Sequence, residues 1–350
     1  MPLRPAPSDR SPRETLSFGV VNLDKPPGPS AHEVTAWVRD LAGVDRAAHA
    51  GTLDPKVTGC LPILLGDATR LAQVFLEGAK TYVAVLELHR SAPADLESVL
   101  AAFETELYQK PPRKSAVRRR LRTRSVYDLE VLDHSDRQVL LRIRCESGTY
   151  VRKLCHDLGL ALGTGAHMGN LRRVGTDPFD DRDLVTIHEF ADALAFDDEG
   201  ESDPLAEAVA PAERALRHLP RVTIPENAAR EVAQGAPVYA PGVLAVDPAP
   251  EPVRVGEGGT GDGAGGAGDG AGGAGDGAGG AGDGAGGAGD GAGGAGDGAG
   301  GAGDDAAAEP TQGDLVVCLT PQGAAVCLGT LVGDPSADSG EVVSLERVLV

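Results

Sequence analysis

Residues 261–302 are six consecutive copies of GDGAGGA, followed by Gly-Asp-Asp. No side chain in this tract is larger than aspartate, so nothing buried there could offset the entropy of ordering it. A flexible coil is predicted. Collagen needs glycine at every third position and abundant proline. Calcium-binding β-rolls repeat every nine residues and carry a large apolar residue, and a stacked solenoid needs apolar faces. A period of seven without one large apolar side chain meets none of these requirements. The apolar-poor stretch extends from about 247 to 312, which leaves folding to the chain on either side. At 350 residues that is still enough for two domains of roughly 100–200 residues each.

The formal net charge of −20 is unevenly placed. Residues 1–190 hold 26 Lys and Arg against 25 Asp and Glu, a balance of +1. Residues 191–350 hold 6 against 27, a balance of −21. The first half is therefore free to meet a polyanion. Only six of the 32 basic residues are lysine. An acidic, Lys-poor surface suits solubility in concentrated salt, which screens its self-repulsion; an ordinary acidic protein from a GC-rich genome has a similar composition. The five cysteines (Cys60, Cys145, Cys155, Cys318, Cys327) are scattered and include no CxxC pair. Reduced thiols and a cytoplasmic location are expected, with neither a disulfide framework nor a zinc site. No apolar run approaches the roughly 18 residues of a membrane span. The start, MPLRPAPSDRSPRETL, lacks the hydrophobic stretch of a secretory signal, and residues 1–15 are expected to form a mobile arm.

Local patterns set the elements. FGVVNLDKPPGPS reads as a strand entering a Pro-Gly loop. SAHEVTAWVRDLAG reads as a helix, with Ser30 and Glu33 spaced as a capping box and Gly43 past its end. TYVAVLELH is a β-branched strand, DLESVLAAFETEL has helical apolar spacing, and SVYDLEVLDHSDRQVLLRIRCES is a hairpin. TYVRKLCHDLGLALG is an amphipathic helix ended by Gly163. After Pro220 come RVTIP, a short helix ENAAREVAQG and a strand VYAPGVLAV. DLVVCLT, AAVCLGTLV and EVVSLERVLV then complete a small β-barrel split by the glycine tract. Without regular βαβ alternation, the fold class is α+β, with a mixed, mainly antiparallel sheet in the first domain.

Three segments carry candidate chemistry. In HAGTLDPKVTG, Asp54 stands before Pro55, which holds it extended and so fixes where its carboxylate points. Gly51 and Gly59 leave room for close approach, although Asp-Pro is equally a simple turn initiator. The run QKPPRKSAVRRRLRTRSV (109–126) has eight basic residues and no acid. It fits a phosphate track, since each cation neutralises a phosphate and releases counterions; a solvated loop or a partner for the acidic half is the alternative. Arg152 begins a helix, where the macrodipole disfavours a bare cation, and a carboxylate partner would account for it. Singly, Arg152, Tyr82 in its strand and His49 are ordinary exposed or core residues.

Together these segments resemble the TruB-type pseudouridine synthases. HAGTLDPKVTGCLPILLGDATRL resembles their catalytic motif, and VNLDKPPGPSAHEVTAWVR, QKPPRKSAVRRRLRTRSVY, SGTYVRKLCHDLG and GAHMGNLRRVGTDPF resemble their other motifs in the same order. The spelling is closest to the archaeal and eukaryotic dyskerin-like branch, the catalytic subunits of H/ACA guide-RNA particles. LPRVTIPENAAREVAQGAPVYAPGV and GDLVVCLTPQGAAVCLGTLV resemble a PUA domain. The likeness covers roughly 16–246 and 312–350, and the glycine tract departs from the family pattern as a loop insertion. The resemblance implies a catalytic domain over 16–218 with the pseudouridine synthase fold, and a PUA RNA-binding domain over 219–350.

It also implies roles. Asp54 would be the catalytic aspartate, Tyr82 would lie against the target base and Arg152 would pair with Asp54. His49 would help displace the flipped uridine, Leu171 would pack beneath the base and Tyr150 would support the site. Lys25, Lys110, Arg113, Lys114, Arg118, Arg119, Arg120 and Arg122 would touch RNA. Converting uridine to pseudouridine breaks the C1′–N1 bond, turns the uracil and rejoins it through C5. That isomerisation needs no metal and no redox cofactor, so no cofactor is expected. The implied partners are an H/ACA guide RNA, ribosomal or transfer RNA as substrate, small H/ACA core proteins and a kink-turn-binding ribosomal-type protein. A guide-independent tRNA modifier and a catalytically silent RNA-binding scaffold are the alternatives, and the intact Asp54 motif and the Tyr82/Arg152 set argue against the latter.

Overall fold

The computed structural model describes residues 3–76, 78–111, 120–250 and 309–350. The glycine tract and the basic residues Arg113, Lys114, Arg118 and Arg119 lie outside the described residues.

Among the described residues, ten strands form a first sheet: β1 (Phe18–Lys25), β2 (Ala47–His49), β3 (Thr58–Gly66), β4 (Lys80–Leu88), β5 (Glu106–Gln109), β6 (Arg122–His134), β7 (Gln138–Cys145), β8 (Ala166–Thr176), β9 (Phe179–Asp180) and β10 (Ala210–Pro211). Their order is β10-β1-β3-β8-β4-β7-β6-β5, with β2 also on β3 and β9 on β8. Every pairing in this sheet is antiparallel except the central one between β3 and β8, so the expected mixed, mainly antiparallel sheet is present. Helices α1 (Pro12–Thr15), α2 (Ala31–Ala42), α3 (Leu96–Ala101), α4 (Val151–Ala161), α5 (Ile187–Asp198), α6 (Asp203–Ala208) and α7 (Glu226–Val232) complete the α component. A second sheet joins β11 (Arg221–Thr223), β12 (Val238–Tyr239), β13 (Ala245–Asp247), β14 (Leu315–Leu319), β15 (Ala325–Leu331) and β16 (Glu341–Val348).

The alternation of β1 and β3 builds two cores at once. Val21, Leu23, Leu61, Ile63 and Leu65 face α2, α5 and α6, while Phe18, Val20, Cys60 and Leu64 face the second sheet through Val317, Leu328 and Leu349. Strands buried on both faces read as continuous apolar runs rather than alternating ones, which is why TGCLPILLG carries no strand periodicity. A third core lies between α3, α4 and the strands β4, β6 and β7.

Three local expectations are corrected. The helix expected to run to Leu107 stops at Ala101, and Glu106–Gln109 instead pairs with β6; edge pairing outweighs helical spacing there. VYAPGVLAV is two short strands separated by a turn through Pro241, which has no N–H for a ladder. The N-terminal segment expected to be a mobile arm is pinned from residue 3. Arg10 forms a two-pronged ion pair with Glu213 at 3.0 and 2.7 Å, Arg4 donates to the Leu349 carbonyl at 3.0 Å, and Ser11 caps α1. Glu213 and Leu349 lie hundreds of residues from the arginines they hold, so no local pattern announces these contacts.

Gly59 marks where β3 meets β8. Its φ is +97°, and a Cβ there would stand 2.2 Å from the Arg173 carbonyl oxygen. The close approach anticipated at this glycine is thus made by protein backbone. Gly59→Ala should lower stability by about 3 kcal/mol or more through combined strain and overlap, read as a shift in urea midpoint; a decrease under about 1 kcal/mol would refute the assigned packing.

Candidate active site

The loop from β2 to β3 is shaped before any question of chemistry arises. Leu53 and Val57 are buried in the core beneath it. Asp54 lies between them in a turn closed by Val57 N–H donating to the Asp54 carbonyl at 2.9 Å, with Pro55 at the position that such turns favour. With its neighbours anchored inward, the Asp54 carboxylate points outward. Its side chain is 55% exposed.

Lys25 holds this loop from below, which corrects its expected contact with RNA. Its side chain has no exposed surface, and Nζ donates to the carbonyls of Pro26 at 2.9 Å, Pro55 at 3.0 Å and Val57 at 2.9 Å. An ammonium has three donors, and all three are spent on backbone, so none is left for a phosphate. Burial pulls its pKa below the usual lysine value, opposed by the nearby charge of Asp54.

Helix α4 brings the counter-ion. Val151, Leu154, Cys155 and Leu158 face the core, which leaves Arg152, in the first turn, facing out. Its guanidinium bonds to the Asp54 carboxylate, 98 residues away in sequence. Both side chains are about half exposed, so the pair adds little stability. What it fixes is direction. In the protein alone the Asp54 carboxylate is therefore open to solvent.

Tyr82 on β4 and Leu171 on β8 are diagonal neighbours, since Tyr82 pairs with Arg173 and Ala84 with Leu171. Both are half-buried and both pack against the two cores that flank the sheet centre. Burial pushes the Tyr82 phenol above its usual pKa, and the adjacent Arg173 opposes the shift. His49 ends β2, with Nε2 at 3.3 Å from Nδ1 of His32 and the rings edge to face at 5.0 Å. Burial, then the charges of His32 and Arg173, pull its pKa down and favour neutral imidazole. Tyr150 is the residue before α4, and its N–H donates to Gln109 Oε1 at 2.9 Å. Lys110 and Arg120 are exposed and Arg122 is half-buried, at the root of the basic run.

Sequence reasoning missed Arg173. It is 1% exposed, and its guanidinium donates to the Cys60 carbonyl at 2.7 Å and the Gly51 carbonyl at 3.3 Å while touching Tyr82. It therefore ties both ends of the Asp54 loop to the aromatic wall. The signal for it was an arginine set in a strand-like run beside Leu171, where its neighbour Arg172 is partly exposed and doubly bonded to Asp24 at 3.0 Å. Lys80 was also missed. It caps the carbonyls of Phe75 at 2.9 Å and Gly78 at 2.8 Å, and burial pulls its pKa to about 8.

The arrangement presents one aimed carboxylate, a guanidinium that orients it, and an aromatic and aliphatic wall. The five cysteines are buried and unpaired, and burial pushes the thiols of Cys60, Cys145 and Cys155 up to about 12, so these three are poor nucleophiles. Among the described residues no group of three or more His, Cys, Asp or Glu could hold a metal ion. Among the same residues no helix is long and apolar enough to cross a membrane.

Three family models match the chain: the DKCLD (NUC011) domain over residues 5–35, the N-terminal domain of TruB family pseudouridylate synthase over 39–95, and the C-terminal domain of tRNA pseudouridylate synthase B over 152–217. A Halobacterium salinarum protein described as "Probable tRNA pseudouridine synthase B" is 56% identical over the full length of both chains. A Haloarcula marismortui protein of the same description is 54% identical, covering 100% of this chain and 94% of that one. Among solved structures, a Cbf5–Nop10–Gar1 complex matches with a TM-score of 0.78 and 35% identity, covering 99% of this chain and 90% of that one. An H/ACA particle bound to a substrate RNA containing 2′-deoxyuridine matches with a TM-score of 0.76 and 34% identity, covering 99% and 89%.

Proposed function

We propose that this chain, which belongs to the TruB family of pseudouridine synthases, isomerises uridine in RNA as the catalytic subunit of a guide-RNA particle of the H/ACA type. The observation that carries the guided reading is the likeness, over nearly its whole length, to the protein solved with Nop10 and Gar1 and in a substrate-bound H/ACA particle. On this reading residues 16–218 are the catalytic domain and 219–350 the PUA RNA-binding domain, and the protein works in the cytoplasm. Its partners are a guide RNA, ribosomal RNA as substrate, small core proteins like Nop10 and Gar1, and a kink-turn-binding ribosomal-type protein.

The chemistry follows from the site. The target uridine leaves its stack at a cost of a few kcal/mol and lies between the Tyr82 and Leu171 side chains. Asp54 supplies the carboxylate that drives cleavage of the C1′–N1 bond, and Arg152 holds it in line. The uracil turns, C5 bonds to C1′, the C5 proton departs and N1 regains one, so atoms and charge balance without a co-reactant. RNA seated over the half-exposed Asp54–Arg152 pair excludes water and strengthens that electrostatic contact. His49, held neutral, helps fill the place that the uridine leaves, and Tyr150 supports the start of α4.

Guide-independent tRNA modification is the second reading, favoured by the description of the halophilic relatives. Mapping pseudouridine in purified ribosomal and transfer RNA, with and without guide RNA and core proteins, separates the two. The guided reading expects rRNA modification only with the guide; equal modification without it would overturn that reading. Replacing Lys110, Arg120 and Arg122 together with Ala should weaken RNA binding and flatten the salt dependence of log K, by about one unit for each phosphate no longer neutralised. An unchanged slope would remove these residues from the RNA track.

A further inference from the structure

Gln109 is the last residue of β5, at the outer edge of the first sheet, and the basic run begins with the next residue, Lys110. Across the ladder it pairs with Arg122, where the chain returns from that run. An amide at the end of a four-residue edge strand would ordinarily face water. Gln109 is only 3% exposed.

Its two polar atoms are treated differently. Oε1 accepts the Tyr150 N–H at 2.9 Å, just before α4 and two residues ahead of Arg152. Nε2 is buried and, among the described residues, has no hydrogen-bond partner. Leaving a buried donor unsatisfied is costly, and an apolar side chain of similar size would serve packing better. What the Gln109 amide contributes among the described residues is therefore the bond its oxygen accepts from Tyr150. A second connection runs beside it. Arg124 on β6 pairs with Glu146 at 3.0 Å, and Ser125 and Glu146 exchange bonds through the Ser125 N–H at 3.1 Å and the Ser125 carbonyl at 2.9 Å. The Glu146 carbonyl in turn accepts from Thr149, from its N–H at 3.2 Å and its hydroxyl at 2.7 Å. The ribbon that carries the basic run is thus bonded at two points to the turn from which α4 starts, and Arg152 reaches Asp54 from the first turn of that helix.

The geometry points to Gln109 as a positioning residue that couples RNA held by the basic ribbon to the alignment of Arg152 on Asp54. This rests on the proposed RNA-modifying function and deepens it: phosphate contacts at Lys110, Arg120 and Arg122 set the ribbon, Gln109 sets the start of α4, and α4 aims the guanidinium. Coupling of this kind travels through contiguous contacts, and each link here is a hydrogen bond or a peptide unit.

The test uses the full chain, assembled with guide RNA and core proteins if the wild type needs them, under single-turnover conditions at saturating substrate RNA. Gln109→Met removes the acceptor at nearly constant volume, and Gln109→Asn keeps the amide but withdraws its oxygen from Tyr150. Both should slow pseudouridine formation at least tenfold while RNA affinity stays within twofold of wild type. The Asn variant, unchanged in polarity, carries the test should the Met variant fail to fold. In an Arg152→Lys background the same substitutions should each cost less than threefold, because the residue they act through is already displaced. Rates within twofold of wild type, an effect confined to RNA affinity, or full additivity with Arg152→Lys would each overturn the coupling. A wild-type chain inactive on every RNA would remove the proposed function and the coupling with it, whereas an active wild type with any of those three results removes the coupling alone.

Discussion

Asp54→Asn should abolish pseudouridine formation, by about 10⁴-fold or more in rate, the scale on which loss of a reacting side chain is felt. The substitution keeps the size and shape of the side chain, removes its charge and exchanges one acceptor oxygen for an amide donor. Its effect on folding should be small. The carboxylate is half exposed and forms an ion pair with Arg152. Exposed pairs of this kind are worth about 0–1 kcal/mol. The turn itself depends on the Asp54 carbonyl, the Lys25 clamp and the burial of Leu53 and Val57, none of which the substitution touches. Unfolding midpoint and RNA affinity should therefore match wild type while product formation disappears. Activity within tenfold of wild type would mean that Asp54 is only a turn residue.

Lys25→Met should act in the opposite way, through the fold. Three backbone carbonyls lose their shared donor inside the protein. An unsatisfied buried acceptor costs about 1–3 kcal/mol, and donors that carry charge bind more tightly than neutral ones. The three costs overlap, so a destabilisation of about 3–5 kcal/mol is expected, large against a typical domain stability of about 5–15 kcal/mol. Chemical denaturation reads it directly. Activity should fall as well, because Pro55 and Val57, which follow Asp54 in its turn, lose their anchor together. A variant that is fully stable but weakened in RNA binding with a flattened salt slope would show that Lys25 works at the surface after all.

Legibility in the sequence tracked the range of the interactions. Ser30, Glu33 and Gly43 announced α2 because a capping box and a left-handed glycine act within one turn, and the structure has all three in place. The hairpin of β6 and β7 was visible in its alternation. β3 was not, because a strand buried on both faces loses that alternation. The pairing of Arg152 with a carboxylate was anticipated from the helix dipole, and the resemblance named the carboxylate as Asp54. Lys25 was misread and Arg173 missed for a common reason. A cation in a sequence looks like surface, and around these two stand backbone carbonyls, all but that of Pro26 brought in from distant parts of the chain.

From its sequence alone, this protein's chemistry was already constrained. A carboxylate locked before proline, a run of eight cations without an acid, and a non-acidic first half in a chain of net charge −20 pointed to a reaction on a polyanion. Those are properties of residues and their immediate neighbours. Which cations stay exposed and which hold the loop was decided by tertiary structure, because a charge takes its role from the groups that close around it. Three carbonyls around Lys25 and two around Arg173 make these cations the frame that aims Asp54.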